Sequence, residues 1–188
     1  MAPQAVTNFL AILLVGGLAG IAATIIPAVR SQLRSSALWL AAIVALASTA
    51  GSLYLSDIAN FDPCQLCWFQ RTAMYPLAVI VGLAALRRDD GVRQHALPLA
   101  SVGLALALYH VQLQAFPDQG SFCSAEHPCT SSPITALGFL TIPQMSALAF
   151  AAIIGLLLLV PTNPPGAHHA AKEEHDDTNH GDSFHALR

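Results

Sequence analysis

The sequence predicts an all-α integral membrane protein, and three observations support that fold class. Of the 188 residues, 54% are hydrophobic and only 10% are charged, unlike the balance in a soluble domain. The apolar residues fall in long blocks of roughly 17 to 25 residues, the length needed to cross a bilayer. The alternating pattern of a membrane β-barrel is absent. Because backbone polar groups in lipid must be satisfied within each segment, we expect these blocks to be helices.

Five blocks are long enough to span a membrane: Asn8–Val29, Ala37–Leu55, Trp68–Leu86, Leu97–Ala115 and Gln144–Val160. They divide the chain into three parts. Residues 1–36 hold an extra N-terminal transmembrane helix and a cytosolic loop, residues 37–160 form a four-helix transmembrane domain, and residues 161–188 form a tail. We expect the first helix to be retained and not cleaved as a signal peptide. Its leading residues carry no basic side chain, whereas Arg30 and Arg34 would anchor both neighbouring helices.

The orientation follows from the basic residues, because Lys and Arg in short loops resist translocation across the membrane. The predicted connections Ser56–Leu66 and Phe116–Ile142 contain neither Lys nor Arg. Apart from Arg71, which falls within the third block, the basic residues lie in the other two connections and in the tail: Arg30, Arg34, Arg87, Arg88, Arg93, Lys172 and Arg188. This distribution predicts an outer N-terminus and a cytosolic C-terminus.

The tail beyond Val160 changes character abruptly. Prolines break the helix, and a polar stretch with five histidines and five acidic residues follows. Such a composition is typical of a disordered, solvated segment. The alternative is a transition-metal site, but the spacing of the histidines does not close a defined ligand set. That site would use His175, His180 and His185 together with His168 and His169.

All four cysteines fall in the two connections that lack positive charge, on the predicted outer side. Cys64 and Cys67 form a Cys-x-x-Cys motif at the mouth of the third helix, and Cys123 and Cys129 lie in the long second outer loop. An even number of cysteines confined to an oxidising compartment indicates two disulfide-forming pairs. Static staples are a weak alternative, since closing such short loops restricts the unfolded chain little. A structural zinc site is a second alternative, disfavoured by oxidation outside the cytosol.

The neighbours of Cys67 favour redox chemistry. Cys67 opens a helix whose N-terminus faces outward, and the partial positive charge there stabilises a thiolate. Arg71 lies one turn deeper on the same face, and an arginine inside a membrane helix normally marks a function. Its guanidinium could hold an electron acceptor as negative charge develops on it. Snorkelling to the headgroups is the alternative reading.

Two further side chains complete the predicted acceptor site. His110 lies near the outer end of the fourth helix, at about the depth of Arg71, and shares a face with Gln114. A membrane histidine is more often an interhelical hydrogen-bond partner than a catalyst. Tyr75 continues the face of Cys67 and Arg71 inward and adds a phenol to an apolar wall, as a quinone ring would need.

The run from Cys64 through Cys67 and Arg71 to Tyr75-Pro76 resembles the bacterial DsbB family of disulfide bond formation proteins, particularly its Gram-positive BdbC-like branch. Tyr109-His110, Pro128-Cys129 and Pro143-Gln144 agree with the family in order. The resemblance covers about residues 37 to 160. The first helix has no counterpart in the family's four-helix pattern, and the second cysteine pair is spaced more closely than in its best-known members.

The resemblance implies a four-helix bundle in the bacterial plasma membrane that reoxidises a DsbA-like thioredoxin-fold partner and passes the electrons to ubiquinone or menaquinone. Cys123 and Cys129 would meet the partner, with Cys123 forming the mixed disulfide. Cys64 and Cys67 would be the pair near the quinone, with Cys67 meeting the quinone itself. Arg71 and His110 would line the quinone site, beside Tyr75. Besides these two partners and the surrounding lipid, we expect no nucleic acid and no metal.

Two competing functions remain open on the sequence. A vitamin K epoxide reductase-like protein also joins two cysteine pairs to a quinone, but there the Cys-x-x-Cys motif follows the loop pair, whereas here it comes first. A metal-handling membrane protein would combine the outer thiols with the histidine-rich tail. It would need polar ligands across the membrane centre, where this sequence supplies none.

Overall fold

The computed structural model describes residues 27–117 and 135–161, together with Cys123, Cys129 and seven residues near the N-terminus: Ala5, Thr7, Asn8, Ala11, Ile12, Val15 and Gly16. The predicted tail beyond Pro161 and most of the predicted first helix therefore lie outside the described residues. So do the tail histidines.

Four long helices dominate the described part of the chain. Helix α1 (Pro27–Leu53) continues into a π-helical turn (Tyr54–Ile58), and α2 spans Gln65–Arg87. A 3₁₀ turn (Asp90–Val92) leads into α3 (Arg93–Ala115), and a two-stranded hairpin, β1 (Thr135–Ala136) and β2 (Leu140–Thr141), precedes α4 (Ile142–Leu159). Each of the four is long and apolar enough to cross a membrane, which confirms the predicted all-α membrane class.

The start of α1 differs from the prediction. Pro27 to Val29 were assigned to the first apolar block, and Arg30 and Arg34 to a loop, but all of them lie in α1. Proline fits the first turn of a helix, where its missing N–H has no partner to lose, and residues 28–36 contain no further Gly or Pro. Apolar block length marks the part of a helix that lipid covers, whereas the helix itself can extend past it.

The hairpin before α4 was also not predicted. Thr135 pairs with Thr141 and Ala136 with Leu140 in an antiparallel register. Leu137 and Gly138 have φ values of 55° and 81°, so the turn uses left-handed backbone at two consecutive residues. Four strand residues are too few for an alternating pattern to appear in the sequence. The hairpin leads directly into α4, whose first turn is closed by a capping box between Thr141 and Gln144.

The four helices form a closed bundle in which α1 and α3 each contact α2 and α4. Small residues dominate these contacts, among them the fully buried Ala41, Ala45, Ala100 and Ala107. Small side chains let membrane helices approach closely, where apolar burial gives no driving force of its own. At one such approach Gly103 of α3 packs against the buried ring of Phe150 in α4.

The described N-terminal residues are helical and touch the hairpin. Ala11 is fully buried in a small cluster with Ala136 and Leu140. The side-chain oxygen of Asn8 accepts a hydrogen bond from the backbone N–H of Leu137 at 2.8 Å. The N-terminal segment thus contacts the same end of the bundle as the cysteines, since the hairpin directly precedes α4 at that end.

Candidate functional site

Cys64 and Cys67 lie side by side at the start of α2. Cys64 is the N-cap residue, with extended backbone (φ −64°, ψ 167°), and its carbonyl accepts the N–H of Trp68. Cys67 follows in the first helical turn, and the two sulfurs are 2.9 Å apart. Both cysteines are free and half-buried. One helical turn therefore brings the two sulfurs of this inner pair within reach of a disulfide, as the motif predicts.

Cys123 and Cys129 form a disulfide, which we call the loop pair. Cys129 is only 1% exposed and packs against Leu66 of α2 and Leu113 of α3. Cys123 is half-buried and, with Cys64, packs against that cluster. The two cysteine pairs consequently share one end of the bundle, and the loop pair rests on the helices that carry the inner pair and His110.

His110 lies between the two pairs and is 2% exposed. Its Nε2 is 3.0 Å from the backbone oxygen of Cys129 and 3.7 Å from Sγ of Cys64. Its Nδ1 is 3.0 Å from the side-chain nitrogen of Gln70, which is itself buried. A carbonyl oxygen only accepts, so Nε2 carries the proton, and Nδ1 accepts from the Gln70 amide.

The surroundings of Cys64 lower the pKa of its thiol to about 4. The largest cause is the hydrogen bond between the Cys64 and Cys67 sulfurs, and His110 and the Cys67 backbone N–H act in the same direction against the effect of burial. From the sequence, the helix dipole favoured a thiolate at Cys67. In the folded site the two sulfurs share a hydrogen bond, and the pKa that it lowers is that of Cys64.

Arg71 turns toward α1. Its Nε donates to the Ser52 hydroxyl at 2.9 Å, and a terminal nitrogen donates to the Ser52 carbonyl at 3.0 Å. The guanidinium carbon also lies 5.2 Å from the centre of the Trp68 ring. Arg71 is thus held by two hydrogen bonds to the end of α1 and by the Trp68 ring, an arrangement suited to a partly desolvated cation.

Below Arg71, two hydroxyls are buried without a partner. Among the described residues, the oxygens of Thr49 and Tyr75 are the buried side-chain polar atoms that form no hydrogen bond. Thr49 precedes Ser52 by one turn of α1, and Tyr75 follows Arg71 by one turn of α2. Because these helices run antiparallel, Thr49 and Tyr75 both lie about one helical turn, roughly 5 to 6 Å along the axis, further into the bundle than Ser52 and Arg71.

Arg71 and His110 therefore contact different neighbours. The sequence placed them at the same depth and grouped them in one acceptor site, but Arg71 contacts Ser52 whereas His110 contacts both cysteine pairs. Gln114, on the same face as His110, accepts a hydrogen bond from the Thr141 hydroxyl at the foot of the hairpin. Sequence reasoning missed Gln70, Ser52 and Thr49, because nothing in their spacing indicates which neighbouring helix they face.

The inner pair and His110 also test the metal alternative. Their three ligand atoms lie within 4.8 Å of one another. Two thiolates on one tetrahedral zinc, with bonds of about 2.3 Å, would lie about 3.8 Å apart. The observed separation of 2.9 Å is shorter and better suited to sulfurs that form a bond with each other. Among the described residues the group offers three ligands, one fewer than a structural zinc site uses.

A helical membrane bundle that holds two neighbouring cysteine pairs at one end is the architecture of a membrane thiol–disulfide oxidoreductase. The chain belongs to the family of disulfide bond formation protein DsbB, whose family model matches residues 34–160. The matched segment covers the four described helices from within α1 onward and includes all four cysteines. The protein accordingly has an oxidoreductase role in disulfide bond formation.

Named relatives agree with this assignment. The chain is 46% identical over 134 residues to the probable disulfide formation protein of Deinococcus radiodurans, an alignment that covers 66% of this chain and 88% of the relative. It is 43% identical over 128 residues to the probable disulfide formation protein of Chlamydia trachomatis, covering 68% and 94% respectively. It is 39% identical over 120 residues to disulfide bond formation protein C of Bacillus subtilis, covering 63% and 87%. No solved structure matches the chain significantly.

Proposed function

We propose that the protein reoxidises a DsbA-like thioredoxin-fold partner and passes the electrons through its two cysteine pairs to a membrane quinone, ubiquinone or menaquinone. The observation that carries this proposal is the packing of the loop pair against the helices of the inner pair. In a thiol–disulfide relay, the thiolate of one pair must approach the disulfide sulfur of the next pair directly. Two cysteine pairs at one end of a membrane bundle allow such stepwise exchange.

The exposure of the two loop cysteines favours Cys123 as the site of attack by the partner. Cys129 is 1% exposed, whereas Cys123 is half-buried. A partner thiolate attacks the Cys123 sulfur, the bond between Cys123 and Cys129 breaks, and its electron pair leaves with Cys129. The partner's second cysteine then attacks the mixed disulfide, which releases an oxidised partner and leaves the loop pair reduced.

The second exchange moves two electrons from the loop pair to the inner pair. The Cys129 thiolate attacks the Cys64 sulfur of an oxidised inner pair, and Cys67 leaves and takes a proton. The Cys123 thiolate then attacks Cys129, which restores the loop disulfide and frees Cys64. The products are an oxidised loop pair and a reduced inner pair, the same combination of bonded and free cysteines that the structure holds.

The quinone site in this proposal lies beside α2, at Cys67, Arg71 and Tyr75. A bound quinone supplies an acceptor for two electrons and two protons. The unpartnered hydroxyls of Tyr75 and Thr49 fit such a group, because a quinone offers carbonyl oxygens and no donors of its own. Arg71, held by Ser52, places a fixed positive charge near the inner pair, where it favours negative charge on an acceptor.

We further propose that the cysteine end of the bundle faces the outside of the plasma membrane. Arg87, Arg88 and Arg93 lie at the opposite ends of α2 and α3, at the turn that joins them. Basic residues concentrate on the cytosolic side of membrane proteins. An outward cysteine end also places the thiols in a compartment where disulfides persist.

The absorbance spectrum of the purified protein tests the quinone assignment. Protein extracted in mild detergent should contain bound quinone, and its spectrum should change to that of the reduced form when a reduced DsbA-type protein is added without oxygen. A Cys64→Ser variant should bind the same quinone but leave its spectrum unchanged. Purified wild-type protein that binds neither added ubiquinone nor added menaquinone would overturn the assignment.

A further inference from the structure

The loop pair and the inner pair are joined by one side chain, the imidazole of His110. The same nitrogen, Nε2, lies at hydrogen-bonding distance from the Cys129 carbonyl and from the Cys64 sulfur. These are the two residues whose sulfurs must bond to each other for electrons to pass between the pairs. With 2% of its surface exposed, His110 has no solvent to compete for these contacts.

Gln70 fixes which nitrogen of His110 carries the proton. Its amide nitrogen faces Nδ1 at 3.0 Å and donates to it, which leaves the proton on Nε2. Gln70 is 6% exposed, so water does not readily replace this bond. The contact between Gln70 of α2 and His110 of α3 therefore keeps the proton on Nε2, which faces the Cys64 sulfur.

We propose that His110 is a catalytic residue of the exchange between the two cysteine pairs, donating from Nε2 to Cys64 as that sulfur leaves, and that Gln70 positions it. This inference rests on the proposed function, since it assumes that electrons pass from the loop pair to the inner pair. It assigns His110 to the internal exchange, whereas its sequence position suggested a quinone contact.

The role of His110 is clearest when Cys64 leaves. As Cys123 attacks Cys129 in the mixed disulfide, the bond between Cys129 and Cys64 breaks and its electron pair stays on Cys64. A donor at Cys64 stabilises that charge, and a leaving thiol with a lower pKa departs faster. The contact to the Cys129 carbonyl meanwhile holds the attacked residue beside Cys64. The low pKa of Cys64, to which both Cys67 and His110 contribute, agrees with this role.

Few other groups near His110 could donate a hydrogen bond to the leaving Cys64 sulfur. From α2 it faces Cys64 and the neutral amide of Gln70, and from the loop it faces the Cys129 backbone. The nearby cation Arg71 donates to Ser52. Among the described residues, the other donor that acts on Cys64 is its own partner in the inner pair, Cys67.

The test separates internal exchange from quinone reduction. In the first assay, quinone-free oxidised protein is mixed with one equivalent of a reduced DsbA-type protein, quenched with acid, and analysed by alkylation and mass spectrometry for which pair holds the thiols. In the second, fully reduced protein is mixed with menadione and quinone consumption is followed. We expect His110→Phe to slow the appearance of thiols at Cys64 and Cys67 by about tenfold or more. Menadione reduction should keep its wild-type rate.

Two further variants test whether Gln70 positions His110 and keep the test valid if His110→Phe does not fold. Gln70→Leu should slow the same step several-fold, and His110→Gln, whose amide can still donate, should recover part of the rate lost in His110→Phe. Both should raise the pH at which Cys64 becomes reactive toward iodoacetamide, a shift that a purely structural role would not produce. His95→Phe, an exposed histidine at the other end of α3, is the matched control and should leave both assays unchanged.

The outcomes are distinct. Slowed menadione reduction with normal internal exchange in His110→Phe or His110→Gln would place His110 at the quinone and overturn the inference, while the proposed function would stand. Normal rates in both assays for both variants would also overturn it. If wild-type protein transfers no thiols to the inner pair, the proposed function itself fails.

Discussion

Arg71 is the residue on which the proposed quinone site depends most. Its guanidinium is fixed by two hydrogen bonds to Ser52, so the positive charge is already in place when negative charge develops nearby. A charge-assisted hydrogen bond of this kind contributes roughly 1.5 to 3 kcal/mol. Arg71→Ala should therefore reduce quinone-dependent turnover by about ten- to a hundredfold.

Three further variants serve as controls for Arg71→Ala. Arg71→Lys should recover part of the loss, since a point charge does not reproduce the planar fork, and Ser52→Ala should cost less than Arg71→Ala. Arg87→Ala, at the other end of α2, should have no effect. The measurement is steady-state turnover against quinone concentration. Normal quinone kinetics in a folded Arg71→Ala protein would make Arg71 an interfacial anchor only.

The pH dependence of Cys64 follows from its lowered pKa. With a pKa of about 4, its thiolate is present above that pH and disappears as the pH falls through it. An unperturbed thiol would instead lose its reactivity as the pH falls through about 8.5. In protein with an intact loop disulfide, alkylation of Cys64 by iodoacetamide should thus stay rapid at pH 6. Cys67→Ala removes the largest cause and should move the midpoint upward.

The candidate site could be predicted from the sequence only in part. The four cysteines and Arg71 stand out because their residue types are rare or costly in membrane helices and occur at fixed spacing. Gln70 and Ser52 do not stand out, because glutamine and serine are common at helix contacts and their partners are distant in sequence. Which sulfur is the better thiolate also depended on the folded contact between Cys64 and Cys67.

At the scale of the helices, the close contact between α3 and α4 requires glycine at position 103, because no larger side chain fits there. A Cβ atom on Gly103 would overlap the ring of Phe150, which is fully buried. Gly103→Ala should therefore destabilise the bundle by about 1 to 3 kcal/mol. Thermal unfolding in detergent, followed by circular dichroism, measures the change.

Gly82 in α2 provides the matched control. A Cβ atom there would meet nothing within 4 Å, and alanine favours the helix over glycine. Gly82→Ala should leave the unfolding temperature unchanged or raise it. Equal destabilisation by both substitutions would mean that the effect arises in the helix backbone and not in the contact between α3 and α4.

The order of the four described helices was predictable, whereas the residues at which they begin and end were not. Apolar blocks locate the lipid-covered part of each of the four described helices, because the cost of polar groups in hydrocarbon leaves little choice there. Outside lipid this constraint is lost. The polar first turns of α1 begin at Pro27. The hairpin at Thr135–Thr141 depends on left-handed turn residues and on the hydrogen bond from Leu137 to Asn8. Hydropathy reports none of these features.

For the whole molecule, the orientation in the membrane can be tested by labelling. A membrane-impermeant maleimide applied to intact, reduced cells should modify Cys64 and Cys123, which are half-buried at the cysteine end. A cysteine introduced by Gln94→Cys, exposed at the opposite end of α3, should react only after permeabilisation. The reverse pattern would contradict the proposed outward orientation.

The most direct test of the relay is a stoichiometric one. Purified protein is mixed without oxygen with a reduced DsbA-type protein and ubiquinone or menaquinone, and partner disulfide and quinol are measured together. The relay predicts one disulfide formed per quinone reduced, with turnover abolished in Cys64→Ser and in Cys129→Ser. Partner oxidation that continues without quinone, or that survives either substitution, would contradict it.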